Sequence, residues 1–218
     1  MENNKTSSAG QFVATLKRSS MTAITIILAL MILVASFTSE YFLDEYNLKA
    51  LVRDLAFIGM IGIGQALLLL IGELDLSVGK IASLCGVIAG MLMVTFGFNP
   101  YLSLVAALAL GASLGALNGL IITKLRLNSM VVTIGMAGVY GGITLVLTKG
   151  KAVTNIPEVI HFLGKGHIGV VPVPFIFTIA VLIGVLFLVK KTKTGRYIYA
   201  IGNSKEAAKI LGIKVDRV

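Results

Sequence analysis

Two carboxylates and a hydroxyl stand between two apolar segments of this chain, where polar groups are costly. The stretch Gly72-Glu73-Leu74-Asp75-Leu76-Ser77-Val78-Gly79 has almost no polar loop around it. A charge buried in an apolar setting is strongly destabilising unless it is paired or hydrated. Two interpretations stay open. Either Asp75 or Ser77 caps the following helix, or a helix break beside a central path offers oxygen atoms to substrate hydroxyls.

Two amides, Gln65 and Asn118, lie inside apolar segments. Such amides usually face protein or water. Hydrogen bonding between helices is the favoured interpretation for both, and lining a substrate path is the alternative; Thr133 and Tyr140 are weaker candidates for the same path. The glycines near Asn118 recur at a spacing of four, which predicts close helix packing on one face. They are Gly111, Gly115 and Gly119.

A second polar stretch follows the last apolar segment and reads TGRYIYAIGNSKEAAKILGIKVDRV, residues 194–218. Asn203 can cap a helix of about two turns, with Glu206 at capping-box spacing, and Gly212 can end it in the left-handed conformation. So short a helix is unstable alone and must pack against its own chain or a partner. On this physics alone, a basic segment resting near anionic lipid is favoured.

The composition excludes an ordinary soluble domain. Of 218 residues, 56% are hydrophobic and 13% are charged, with a mean hydropathy of +0.94. About a quarter of the residues are charged in typical soluble domains. The net charge of +9 could suggest nucleic acid, but the charges lie at the ends of apolar segments. Membrane orientation explains them better, and no nucleic-acid partner is expected.

No motif for catalysis or metal binding is found. The sequence has no P-loop, no H-E-x-x-H and no G-x-S-x-G. Cys85 is the single cysteine, and His161 and His167 have only Glu158 nearby, so no metal site and no cofactor are expected.

Six apolar segments predict an all-α, polytopic transmembrane bundle. We expect a cytoplasmic tail over 1–20, a membrane domain over 21–193 and a cytoplasmic segment over 194–218. Lys and Arg favour the inside by nearly three to one when both termini are cytoplasmic, and the connection 148–174 is then outside. The six segments are about 21–37, 51–71, 76–96, 101–123, 129–147 and 175–189.

Several motifs resemble those of one family. Glu206-Ala207-Ala208, followed three residues later by Gly212, resembles the coupling signature of ABC importer permeases. The flanking Thr194-Gly195-Arg196-Tyr197 and Ala200-Ile201-Gly202-Asn203 resemble the version found in sugar permeases of the ribose, xylose and galactose class. The stretch Gly72–Gly79 resembles a D-L-S-V-G motif of that family, with Glu73 as a local departure. Leu114–Gly119 is similar to it as well.

The resemblance implies a multi-pass permease subunit in the bacterial inner membrane, itself not an enzyme, that carries a ribose-like monosaccharide. It implies a cytoplasmic ABC ATPase subunit, an extracytoplasmic sugar-binding protein docking on 148–174, a second permease subunit forming a homodimer, and lipid. Residues 194–218, the coupling segment, would contact the ATPase through Arg196, Asn203, Glu206, Ala207, Ala208 and Gly212. The path would involve Gln65, Asp75, Ser77 and Asn118.

Family members continue past the coupling segment with further spans, so the chain is expected to lack them. Two alternatives therefore stay open. An ion-coupled secondary transporter or channel would use Glu73 and Asp75 as proton or sodium sites. An inactive, truncated permease remnant would transport nothing.

Overall fold

The computed structural model of the chain describes residues 20–217. Within this range it forms nine α-helices, one short antiparallel hairpin and a 3-10 turn, which confirms the predicted all-α class. The tail predicted for 1–20 lies outside the described residues, except Ser20, where the first helix begins. The elements are α1 Ser20–Thr38, α2 Glu45–Leu70, α3 Val78–Val94, α4 Pro100–Leu125, α5 Ser129–Thr148, α6 Glu158–Lys165, β1 His167–Ile168, β2 Val171–Pro172, α7 Val173–Lys191, α8 Lys193–Asn203, α9 Lys205–Ile210 and the 3-10 turn Val215–Arg217.

Among the described residues, five helices are long and apolar enough to cross a membrane: α1, α2, α4, α5 and α7. The sixth predicted span, α3, has only 17 residues. At 1.5 Å per residue it is about 26 Å long, a little short of a hydrocarbon core of about 30 Å. The predicted bundle is thus confirmed with five full-length spans and one shorter apolar helix.

The helix of the second predicted span begins at Glu45, earlier than the apolar segment that starts near Leu51. The side chain of Asp44 accepts a hydrogen bond from the Tyr46 backbone N–H at 3.1 Å, which favours an earlier start. An ion pair of 2.5 Å between Glu45 and Lys49 then supports the first turn. Residues 45–50, which lie outside the second apolar segment, are therefore helical.

Tertiary contacts divide the chain into two units, one ending at Leu51 and one beginning at Val52. In the first, the Asn47 side chain donates to the Phe42 carbonyl at 2.8 Å and closes the turn before α2. In the second, α3 packs against both α4 and α5. Two buried clusters fill these contacts, Ile81 with Leu84 and Tyr140, and Ala89 with Met93 and Ala107.

Asparagine caps fix where α4 and α5 begin. The Asn99 side chain accepts from the backbone N–H groups of Tyr101 and Leu102, at 2.9 and 3.3 Å. Asn128 does the same for the first turn of α5. Between α4 and α5 the chain turns through Arg126, which has a left-handed φ of 52°. The turn is therefore tight and brings the end of α4 beside the start of α5.

The long connection between α5 and α7 is more ordered than the sequence suggested. It contains α6 and the β1–β2 hairpin. A Cβ on Gly90 would meet Val153 Cγ1 at 3.1 Å and Ile156 Cδ1 at 3.2 Å, so the connection packs on α3. His161 and His167 are exposed in it. Among residues 20–217, no group of three or more His, Cys, Asp or Glu is placed to hold a metal ion.

Candidate functional site

The loop between α2 and α3, residues 71–77, begins a chain of hydrogen bonds through the second unit. Asp75 Oδ1 accepts from the backbone N–H of Ser77 at 2.7 Å and from its hydroxyl at 2.6 Å. Asn118 Nδ2 donates to Ser77 Oγ at 2.8 Å. The Tyr140 hydroxyl donates to Asn118 Oδ1 at 2.8 Å. We call Asp75, Ser77, Asn118 and Tyr140 the polar network, and it joins the loop to α3, α4 and α5.

The interior of this network is closed to water. Ser77, Asn118 and Tyr140 are 0%, 2% and 1% exposed. No buried side-chain nitrogen or oxygen in the described part of the chain lacks a hydrogen-bond partner. Asn118 therefore bonds between helices, as favoured from the sequence. A contact of these residues with substrate stays a prediction.

Of the two interpretations left open for this stretch, capping of α3 by the Ser77 side chain is wrong. Ser77 holds the N-cap position, but its side chain makes no capping bond and its backbone is already helical, at φ −90° and ψ −13°. The reason is that its hydroxyl donates to Asp75 and accepts from Asn118. Asp75 itself bonds the N–H of Ser77, one position before the helix. The carboxylate thus shapes the loop.

Side chains of α2 and α5 hold the backbone of the same loop. The Gln65 amide donates to the Asp75 carbonyl, and its oxygen accepts from the Asp75 N–H at 3.4 Å. Thr133 Oγ1 accepts from the Leu76 N–H at 3.1 Å. All four predicted path residues, together with Thr133 and Tyr140, therefore meet at this loop. Ser129, whose hydroxyl accepts from the Leu74 N–H at 3.5 Å, was missed because a serine at a helix start gives no signal beyond capping.

A cavity of about 720 Å³ extends from Asp75 and Asn118 towards Lys205 of α9. Gly115 and Gly119 line it, and a Cβ on either would meet nothing within 4 Å. A Cβ on Gly111 would touch Cys85 Sγ of α3 at 3.4 Å. Of the predicted glycine ladder, Gly111 lies at a helix contact, and packing at the other two stays a prediction.

The coupling segment is two helices, α8 and α9, and the predicted cap is wrong by one residue. Asn203 ends α8, because the Ser204 N–H still bonds the Ala200 carbonyl. Ser204 is extended and caps α9, with its hydroxyl accepting from the Ala207 N–H at 3.2 Å. The predicted left-handed ending is confirmed by Gly212, whose φ is +79°.

One side of α9 packs on the chain and the other is free among the described residues. Ala208 is 1% exposed, whereas Ile210 and Leu211 are 87% and 76% exposed. Glu206 and Ala207 are exposed too, as is Arg196 on α8. A hydrogen bond from its own backbone N–H lowers the pKa of Glu206 most. The Ser204 hydroxyl and the charges of Lys209 and Lys205 lower that pKa further. The segment thus presents an apolar pair beside charged groups.

The coupling segment and the loop meet directly. A Cβ on Gly202 would lie 1.9 Å from the carbonyl oxygen of Leu70, so only glycine fits there. Lys205 Nζ forms an ion pair and hydrogen bond with Glu73 Oε1. Burial raises the pKa of Glu73, but hydrogen bonds from Lys205 and Ser129 and the lysine charge outweigh it and hold that pKa below its ordinary value. Glu73, which departs from the family motif, is therefore paired with Lys205.

Comparison with known proteins identifies the family of the chain. Residues 47–218 match the family described as "Branched-chain amino acid transport system / permease component". The ribose import permease protein RbsC of Bacillus subtilis (strain 168) is 35% identical over 194 residues, covering 88% of this chain and 60% of that protein. The D-allose transport system permease protein AlsC of Escherichia coli (strain K12) is 33% identical over 192 residues, covering 87% and 58%.

An autoinducer 2 import system permease protein, LsrC of Photorhabdus luminescens, is 32% identical over 199 residues, covering 91% of this chain and 59% of that protein. The chain thus spans about 60% of the length of these relatives. No solved structure matches. The family match and the membrane-length helices identify a multi-pass protein of the bacterial inner membrane. The chain therefore belongs to the family described as "Branched-chain amino acid transport system / permease component".

Proposed function

We propose that the chain is the membrane-spanning permease subunit of an ABC importer that translocates a ribose-like monosaccharide. The observation that carries the proposal is the coupling segment, which exposes Ile210 and Leu211 at one end and is joined through Lys205 to the loop of the polar network. Relatives named as permeases for ribose, allose and autoinducer 2 support the substrate class.

The proposed topology places both termini in the cytoplasm. The end of α2, the turn after α4 and the segment α8–α9 all border one region, since Gly202 abuts Leu70 and Arg126 lines the same cavity as Lys205. An alternating path of the six apolar helices puts these same ends on the inner side. The basic residues that follow α7 suit that side.

The proposed partners follow from the two ends of the bundle. A cytoplasmic ABC ATPase subunit docks on α9, where the apolar pair is exposed. A sugar-binding protein docks on the outer connection, where Phe162 and Val170 are 53% and 72% exposed. A second permease subunit, as a homodimer, and lipid cover the remaining apolar faces.

Transport here requires no bond-making chemistry in this chain. ATP hydrolysis resides on the partner, which moves the coupling segment between two positions. Because packed helices are bistable and not continuously deformable, that movement exchanges two arrangements of the bundle around the path. Gln65, Asp75, Ser77 and Asn118 are the residues proposed to border the path.

The test is sugar uptake into proteoliposomes that hold the complex purified through a tag on this chain. Radiolabelled ribose uptake is expected to require the binding protein and ATP and to survive an uncoupler. Asp75→Asn should reduce uptake while the ATPase subunit still co-purifies, since the loop and not α9 is altered. Uptake that collapses with the uncoupler yet survives ATP depletion would instead show ion-coupled transport. No uptake under any condition would show an inactive protein.

A further inference from the structure

The coupling segment contacts the end of α2 and the loop at two points. These points are three residues apart in both stretches. Gly202 abuts Leu70 so closely that a Cβ would sit 1.9 Å from its carbonyl oxygen. Three residues further along both stretches, Lys205 pairs with Glu73. The two stretches therefore meet at two points, a close backbone contact at one end and a charge pair at the other.

The charge pair sets position more than stability. The side chains of Lys205 and Glu73 are 43% and 27% exposed, and half-exposed ion pairs contribute little to folding. Leu74, the residue after Glu73, donates its N–H to the Ser129 hydroxyl of α5 at 3.5 Å, so this part of the loop is also tied to α5. Lys209 and Arg126 border the same cavity, but among residues 20–217 the ion pair of Glu73 is with Lys205.

The residues that follow Glu73 in the loop connect it to α5 and to the polar network. Leu74 and Leu76, on either side of Asp75, donate their N–H groups to hydroxyls of α5. Asp75 bonds Ser77, which bonds Asn118 of α4. With every buried polar side chain of the described residues satisfied, no member can move without breaking a bond to the next.

We propose that Glu73 and Lys205 form a positioning pair that links movement of α9 to the polar network, so that Glu73 is a positioning residue for transport. The inference rests on the proposed function for its meaning in transport. The exposed Ile210 and Leu211 bind the partner. The ion pair of Glu73 and Lys205 then determines that the movement of α9 reaches the loop and the polar network.

The transport test uses charge reversal in the tagged complex. Glu73→Lys and Lys205→Glu should each lower the amount of sugar carried per ATP hydrolysed by about fivefold or more, the scale of ordinary coupling between sites. The double reversal E73K/K205E should restore most of it. The reversed pair E45K/K49E, a partly exposed ion pair within α2, is the control and should leave the ratio unchanged. Single reversals with a parental ratio, or a double no better than the singles, would overturn the proposal.

Hydrogen exchange on the purified chain gives a readout that does not depend on transport. Glu73→Lys should speed exchange both in α9 and in the loop 71–77, whereas E45K/K49E should change neither. If the unaltered complex carries no sugar but exchange rises in both stretches, the proposed function fails and the link between them stands. If exchange rises in only one stretch, or in neither, the link is refuted even where uptake is normal.

Discussion

Replacing Tyr140 with phenylalanine removes one hydroxyl from the centre of the polar network. That hydroxyl donates to Asn118 Oδ1 at 2.8 Å, and both side chains are almost fully buried. A hydrogen bond between membrane helices is worth on average about 0.6 kcal/mol. The variant also leaves the Asn118 oxygen without a donor, at a cost of about 1–3 kcal/mol for a buried group. We therefore expect a loss of about 1–2 kcal/mol, a factor of roughly 5–30 in the folding equilibrium.

The assay is reversible unfolding in mild detergent, followed by circular dichroism. Tyr101→Phe on α4 is the matched control, because Tyr101 is 57% exposed, and it should stay within about 0.5 kcal/mol of the parent. In the double variant Asn118→Leu/Tyr140→Phe no buried acceptor remains at this bond, so its cost should be below the sum of the single costs by about 0.5 kcal/mol or more. If Tyr140→Phe is as mild as Tyr101→Phe, the network does not stabilise the bundle.

Two predictions concern glycines of the coupling segment, and a third concerns Glu73 of the loop. Gly202→Ala should destabilise the chain by about 1–3 kcal/mol through its clash with Leu70, whereas Gly64→Ala, with open space around it, should not; thermal unfolding compares them. Gly212→Val should reduce co-purification of the ATPase, whereas Gly212→Asn, which tolerates a positive φ, should retain it. The stabilisation from Glu73 is complete above its ordinary pKa of 4.5 and lost as pH falls through its lowered pKa in the folded chain. Between neutral and acid pH, the free energy of unfolding should therefore fall less in Glu73→Gln than in the parent. An identical pH dependence in the two proteins would refute this.

The membrane helices could be predicted from the sequence because a long apolar run has few alternatives. The shorter α3 was also found, and its boundary errors are small. The start of α2 was missed, since Asp44, Glu45 and Lys49 lie outside the apolar segment and their local bonds appear only in the structure. The order within the outer connection depends on Val153 and Ile156 packing against α3, which no local pattern reports.

Most residues of the candidate site could be predicted from the sequence, but the hydrogen bonds between them could not. Asp75, Asn118 and Gln65 were chosen because polar groups inside apolar segments need partners. Which partners they have depends on contacts between residues far apart in sequence. Asn203 and Ser204 are both good caps, and local propensity does not choose between them. Glu73 could be recognised as unusual, but Lys205 could not be assigned to it.

The most direct test of the central claim is an affinity purification of the tagged chain from its native membranes, with intact masses for every band. The account predicts a subunit carrying an ABC ATPase P-loop in amounts comparable to the tagged chain. It also predicts that this subunit is lost when Leu211, which is 76% exposed on the coupling segment, is changed to Glu. An intact tagged chain recovered from the membrane without any ATPase subunit would contradict the account.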